Sequence, residues 1–282
     1  SETLSEQGVE NLVFIMPEGL RLLPVAALHD GEQFLVEQYS LGLSPSLSLT
    51  DTRYKDIKDL AVLAAGASKF ADPDALGPLP AVEVELPTIA NELWQGQFEL
   101  NENFTLESFR RQREQNPEGI IHMATHADFR SGNPEEIYIQ FYDQKVRLDE
   151  IRQLNLNDPP VELLVLSACR TAVGNENVEL GFAGLTVQAG VKSALASLWY
   201  VGDTGTVGLM SEFYRQLNTA PIKAEAMRQA QLAMLEGAVR LEGEQIITPG
   251  GELSLPAEVS VRGQDLSHPY YWAAFTLVGS PW

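Results

Sequence analysis

Five apolar runs alternate with amphipathic stretches along the chain, which is the pattern of buried, mostly parallel strands covered on both faces by helices. The runs are LAVLAAG (60–66), GIIHMAT (119–125), VELLVLSA (161–168), SALASLWYV (193–201) and AAFTLVG (273–279). Between them the apolar spacing predicts helices over residues 82–95, 105–115, 181–189, 204–217 and 222–235. The helix from Thr105 opens with T-L-E-S and the one from Thr204 follows Gly202-Asp203, both suited to capping an N-terminus.

Three segments break this pattern. NLVFIMP, RLLPVAAL and EQFLVEQYS, in the first fifty residues, are short apolar stretches cut by Glu-Gly and Asp-Gly turns, and they predict an antiparallel ribbon at one edge. IYIQFYDQKVRL (137–148) reads as an inserted hairpin. Residues 237–266, rich in Gly, Glu and Pro, predict a long excursion before the last strand. No repeat of ~20–50 residues is present, so a solenoid is excluded. The expected fold is α/β: a three-layer α/β/α sandwich with a mostly parallel central sheet and antiparallel edge hairpins.

Composition narrows the function. With 44% hydrophobic residues in 282, the chain can build a packed core and is not a disordered or collagenous sequence. Lys and Arg number 19 against 39 Asp and Glu, a net charge of −20. Such a surface repels phosphate backbones and anionic lipids, so no nucleic acid and no membrane is expected as a partner, whereas basic peptides are attracted. No apolar run approaches the ~18 residues of a membrane span. One cysteine, Cys169, cannot form an internal disulfide, which fits a reducing, cytoplasmic location. The start at Ser1 suggests a piece of a longer protein, with residues 1–7 as linker and 8–282 as the domain.

Chemistry in open α/β sheets gathers beyond the carboxyl ends of the strands. His126 follows GIIHMAT and Cys169 follows VELLVLSA, 43 residues later. Neighbouring parallel strands would set the two side by side, where an imidazole can take the thiol proton and the thiolate can attack a carbonyl. The alternative is a small buried Cys169 and a hydrogen-bonded His126 with no chemistry. His122 and His126 form H-x-x-x-H, but four residues along a strand span ~13 Å and cannot share one zinc ion. His122 is therefore expected as a hydrogen-bonded core residue, and no metal or other cofactor is expected. AAGASKF (64–70) lacks the G-x-G-x-x-G and Walker patterns of a nucleotide site.

IHMATHA and VLSACRTA resemble the His and Cys motifs of caspase-like (clan CD) cysteine proteases, and more closely those of the CHAT family, which is related to separase. MPEGLRLLPVAALHD, SLWYVGDTGTVGLMSEFYRQL and HPYYWAAFTLVGSPW extend the resemblance over nearly the whole chain. The resemblance implies a cysteine endopeptidase with a protein or peptide substrate, and tetratricopeptide repeats in the same longer chain as a partner. His126 would be the general acid and base and Cys169 the nucleophile. The backbone N–H groups of Ala127 and Cys169 would form the oxyanion hole. Most relatives carry Gly where this chain has Ala127, and Ala suits a backbone donor unless φ must be positive. L-W-Y-V-G-D is similar to separase's L-W-x-V-T-D, which implies that Asp203 receives an Arg or Lys before the cut bond. On local sequence alone Asp203 equally reads as a helix cap. The other class of function is a catalytically inactive caspase-like module that acts by binding.

Overall fold

A computed structural model describes residues 4–282, apart from Ser5, Glu18, Pro45, 48–50, 73–75, Asn116, Glu118, 129–137, 168–189 and Arg262. Among the described residues the strands are β1 (Asn11–Phe14), β2 (Ser40–Leu43), β3 (Val62–Gly66), β4 (Gly96–Leu100), β5 (Ile120–Ala124), β6 (Ala127–Asp128) and β7 (Tyr138–Gln140). They continue with β8 (Lys145–Arg147), β9 (Leu163–Leu166), β10 (Ser193–Ser197), β11 (Arg240–Glu242), β12 (Gln245–Thr248), β13 (Gly251–Ser254) and β14 (Phe275–Gly279). The longer helices are α1 (Val82–Pro87), α2 (Leu106–Gln115), α3 (Asp203–Leu217) and α4 (Lys223–Leu235).

Eight strands form the central sheet in the order β1-β2-β14-β10-β9-β5-β3-β4. The five from β4 to β10 run parallel; β14 opposes β10, and β2 and β1 run parallel to β14. Every side chain of β3, β5, β9 and β10 is buried, as continuous apolar runs require of strands covered on both faces. The chain moves from β3 outward to β4 through α1, then back past β3 to β5 through α2. Right-handed crossovers in opposite directions place α1 and α2 on opposite faces of the sheet, which gives the three layers. α1 and α3 pack on one another, as do α3 and α4.

The order reverses between β3 and β5, so the loops leaving those two strands diverge and open a crevice at their carboxyl ends. Gly66, at the end of β3, makes this approach possible, because a Cβ there would lie 2.2 Å from the Ala124 carbonyl oxygen.

The segment predicted as one helix over 82–95 is α1 followed by a π-helical stretch, Thr88–Leu93. Pro87 has no N–H to donate, so the regular ladder is interrupted there and the next turns widen. Two expectations need correction. Among the described residues of the first fifty, β1 and β2 pair in parallel rather than as an antiparallel ribbon, joined through a short 3-10 helix (Val25–Ala27), a lone antiparallel bridge between His29 and Phe34, and one helical turn (Leu35–Gln38). Residues 237–266 contain a three-stranded antiparallel sheet, β11-β12-β13. β4 was not foreseen; its GQFEL alternates polar residues in the manner of a sheet edge. The hairpin expected at 137–148 is present as β7 and β8, and the helix expected over 181–189 lies outside the described residues.

Candidate active site

His126 is fixed through its backbone on both sides. It lies one residue beyond β5, after Thr125, and its carbonyl accepts from the Gln140 N–H at 2.8 Å, while the Thr125 hydroxyl donates to the Gln140 carbonyl at 2.6 Å. The half-buried ring lies 5.2 Å, centroid to centroid, from Phe70. Its Nε2 lies 2.8 Å from the carbonyl oxygen of Gly77, in the segment after β3. A carbonyl can only accept, so this bond keeps the proton on Nε2 and makes Nδ1 the basic nitrogen of the neutral ring.

Ala127 opens β6, paired antiparallel with β7 so that Ala127 faces Ile139. Because 126 and 140 form the hydrogen-bonded pair, 127 and 139 form the next pair of the other kind, and the Ala127 N–H turns away from β7. Ala127 is absent from the residues with positive φ, so the strand conformation places no strain on its Cβ.

Asp203 stands at the first position of α3, with Gly202 as the N-cap and no side-chain cap. The backbone N–H of Ala81 acts on its carboxylate and favours the charged form. Burial raises the Asp203 pKa above the ordinary carboxylate value; the Ala81 bond opposes this, and the nearby charge of Glu85 adds to it. His126 and Asp203 line the same narrow slot, together with Leu79, Ala81, Val82, Glu85, Tyr200, Val201 and Thr206. These residues follow β3, β5 and β10, all at one end of the sheet. Cys169 and its neighbour Arg170 lie outside the described residues; β9, the strand that precedes Cys169, is hydrogen-bonded to β5 and β10.

Behind the slot is a buried polar cluster. Glu85 is 2% exposed, and its Oε1 lies 3.0 Å from Nε2 of the fully buried His122. The Tyr214 ring packs 5.5 Å from His122, and its hydroxyl has no hydrogen-bond partner among the described residues. Burial, with the charge of Glu85, holds the Tyr214 phenol well above its ordinary pKa. His122 is thus a hydrogen-bonded core residue, as its place in an apolar strand implied.

Sequence reasoning missed Gly77, Glu85 and Tyr200. A backbone carbonyl leaves no trace in residue type, and Glu85 was masked by the helical pattern around it. The exposed Tyr200, next to Trp199 in sequence, lines the slot. Trp199 lies beyond the end of β10, where its indole N–H donates to the Tyr270 carbonyl at 3.0 Å.

A mostly parallel sheet of this order, with antiparallel additions and a slot at the strand ends, defines a caspase-like fold. The family model of the CHAT domain matches residues 1–280, and the chain belongs to that family, which is caspase-like and protease-related. No curated protein matches the chain.

Proposed function

We propose that the protein is a cysteine endopeptidase that cleaves after a basic residue through a thioester on Cys169. The observation that carries the reading is the bond from His126 Nε2 to the Gly77 carbonyl, which leaves Nδ1 as a base at the carboxyl end of β5. Register supports the pairing with Cys169. Ile120 pairs with Leu163, 43 residues on, and the same spacing separates His126 from Cys169 beyond the ends of these two strands.

In this mechanism His126 Nδ1 takes the thiol proton and the Cys169 sulfur bonds to the scissile carbonyl carbon. The N–H groups of Ala127 and Cys169 hold the resulting oxyanion. The C–N bond breaks as His126 returns the proton to the leaving amine, leaving a thioester. Water, deprotonated by His126, then displaces the sulfur and releases the acid. Asp203, in the slot beside His126, receives the basic side chain as a charge-assisted pair.

Two features favour the other reading, a catalytically inactive module: Ala127 in place of Gly, and the S-A-C-R-T context of Cys169. With Ala127 in strand conformation the first loses its force, while residues 168–171 lie outside the described residues. The test is digestion of a proteome-derived peptide library, with new termini read by mass spectrometry. Wild-type protein is expected to cut after Arg or Lys, and Cys169→Ala and His126→Ala to lose at least about 10³-fold in rate. Cleavage that survives in either variant would exclude the dyad. Cysteine-dependent cuts after other residues would keep the dyad and remove Asp203 as selector.

A further inference from the structure

The central sheet ends on β1, and among the described residues β1 is hydrogen-bonded on one side alone, to β2. The Ser40 N–H donates to the Glu10 carbonyl at 3.0 Å and the Ser44 N–H to the Phe14 carbonyl at 2.8 Å. Backbone groups alternate in direction along a strand, so Glu10, Leu12 and Phe14 turn theirs toward β2, and Asn11 and Val13 turn theirs outward. Natural edge strands are commonly blunted by a lysine, a proline or a bulge. NLVF has neither charge nor proline, and its register with β2 runs unbroken from Asn11 to Phe14.

Large apolar side chains surround this edge. Ile15, next after β1, is 48% exposed, Leu20 52% and Leu28 40%. On the Leu12 face lies a groove of about 380 Å³, whose apolar lining includes Leu4, Leu12, Leu28, Phe34 and Leu35. Phe34 is held in place by the fully buried Trp272, edge-on with 5.3 Å between ring centroids. The charges nearby have one sign. Asp30 lines the groove, Glu10 adjoins β1, and Glu6 and Glu32 are exposed within two residues of groove-lining positions. Between residues 4 and 38 the sequence has one Lys or Arg, Arg21, and its Nε donates to the Met16 carbonyl at 3.1 Å.

Two β1 edges brought together from two copies would set these acids against each other, on chains of net charge −20. An extended segment that carries basic residues is attracted instead. We propose that β1 and this groove form a docking site that takes a basic, apolar segment of a partner protein as an added strand. Backbone bonds to Asn11 and Val13 hold the segment, its alternate apolar side chains enter the groove, and a Lys or Arg meets Asp30. Five strand spacings, roughly 24 Å, separate β1 from β5, so the site is distinct from the slot beside His126 and does not depend on the protease reading.

The probe is a blocked octapeptide of alternating lysine and valine, titrated by fluorescence anisotropy into the whole chain carrying Cys169→Ala. Two companion peptides replace lysine by glutamate or valine by serine. The lysine–valine peptide is expected to bind, and each companion at least about tenfold more weakly. Val13→Pro removes an outward N–H while sparing the ladder to β2, and should weaken binding at least about fivefold. Leu28→Ser, at an exposed side chain, guards against misfolding of that variant and should weaken binding in the same direction. Asp30→Asn keeps the oxygen that accepts from the Glu32 and Gln33 N–H groups, and should narrow the preference for the lysine over the glutamate peptide.

No binding of the lysine–valine peptide at about 1 mM, or unchanged affinity in both Val13→Pro and Leu28→Ser, would overturn the proposal. Binding lost in Asp203→Asn but kept in those two variants would place the peptide in the slot, and the proposal would fail. A chain that sediments as a dimer, and as a monomer after Val13→Pro, would give the edge to a second copy instead of a basic segment.

Discussion

Gly77 contributes no side chain, yet its carbonyl decides which nitrogen of His126 can act as a base. The same economy holds at Asp203, where the influence that opposes burial on its pKa comes from a backbone N–H, that of Ala81. Burial raises its pKa, so the folded protein holds this proton more readily than the unfolded chain does. Asp203 therefore favours folding at pH below its ordinary value of 3.8, and that contribution is lost as pH rises through the raised value. Asp203→Asn should accordingly raise the melting temperature at pH 7, by up to about 2–4 °C, while impairing cleavage after basic residues. The gain should vanish below about pH 4, which thermal scans across that range would reveal. A variant that melts lower than wild type at pH 7 would show that the Asp203 carboxylate stabilises its slot. His126 and Asp203 were visible in the sequence because each follows an apolar run. The Gly77 carbonyl that meets His126 was not, because a backbone group leaves no trace in residue type, and Glu85, the partner of His122, was hidden in a helical pattern.

At the scale of elements, the strands that build the site were legible for a physical reason. β3, β5, β9, β10 and β14 lie inside the sheet, and a strand covered on both faces must be apolar throughout. β4 escaped notice because an edge strand is free to alternate, and Gln97 and Glu99 broke the run. The pairing of β1 with β2 was misread because Glu-Gly and Asp-Gly report only a local turn. Parallel partners 29 residues apart, such as Asn11 and Ser40, are set by the distant sheet. Residues 237–266 read only as a long excursion because short hairpin strands with exposed faces need little apolar content.

The junction of β3 and β5 depends on one missing methyl group. Gly66→Ala would set a Cβ 2.2 Å from the Ala124 carbonyl oxygen, backbone that cannot rotate aside, so the strands must part. A loss of about 1–3 kcal/mol is expected from denaturant midpoints. Activity should fall with it, because β5 carries His126. A fully stable and active Gly66→Ala protein would mean that the close approach of the strands does not position the site.

Across the whole molecule, the reversal of strand order gathers residues from three separate stretches of sequence into one slot, and a net charge of −20 surrounds it. On the proposed function, the overall field would act on the approach of a basic peptide, while Asp203 would act on its side chain once seated. The first effect is screened over about 10 Å at 0.1 M salt, and a buried contact much less. Raising sodium chloride from about 50 to 500 mM should therefore lower kcat/KM for Arg-containing peptides several-fold, chiefly through KM. The preference for a basic over a neutral residue before the cut should change little. A preference that collapses with salt would place selectivity in the surface field rather than in the slot.

The central claim is that His126 and Cys169 act as a pair, and because Cys169 is the chain's one cysteine, alkylation reads it without ambiguity. The measurement is the pH dependence of iodoacetamide reaction in the wild type and in His126→Ala. A paired thiol is expected to react with an apparent pKa well below the ~8.5 of a free cysteine, and to return toward that value when His126 is removed. A thiol that stays inert, or whose profile is the same in both proteins, would contradict the account.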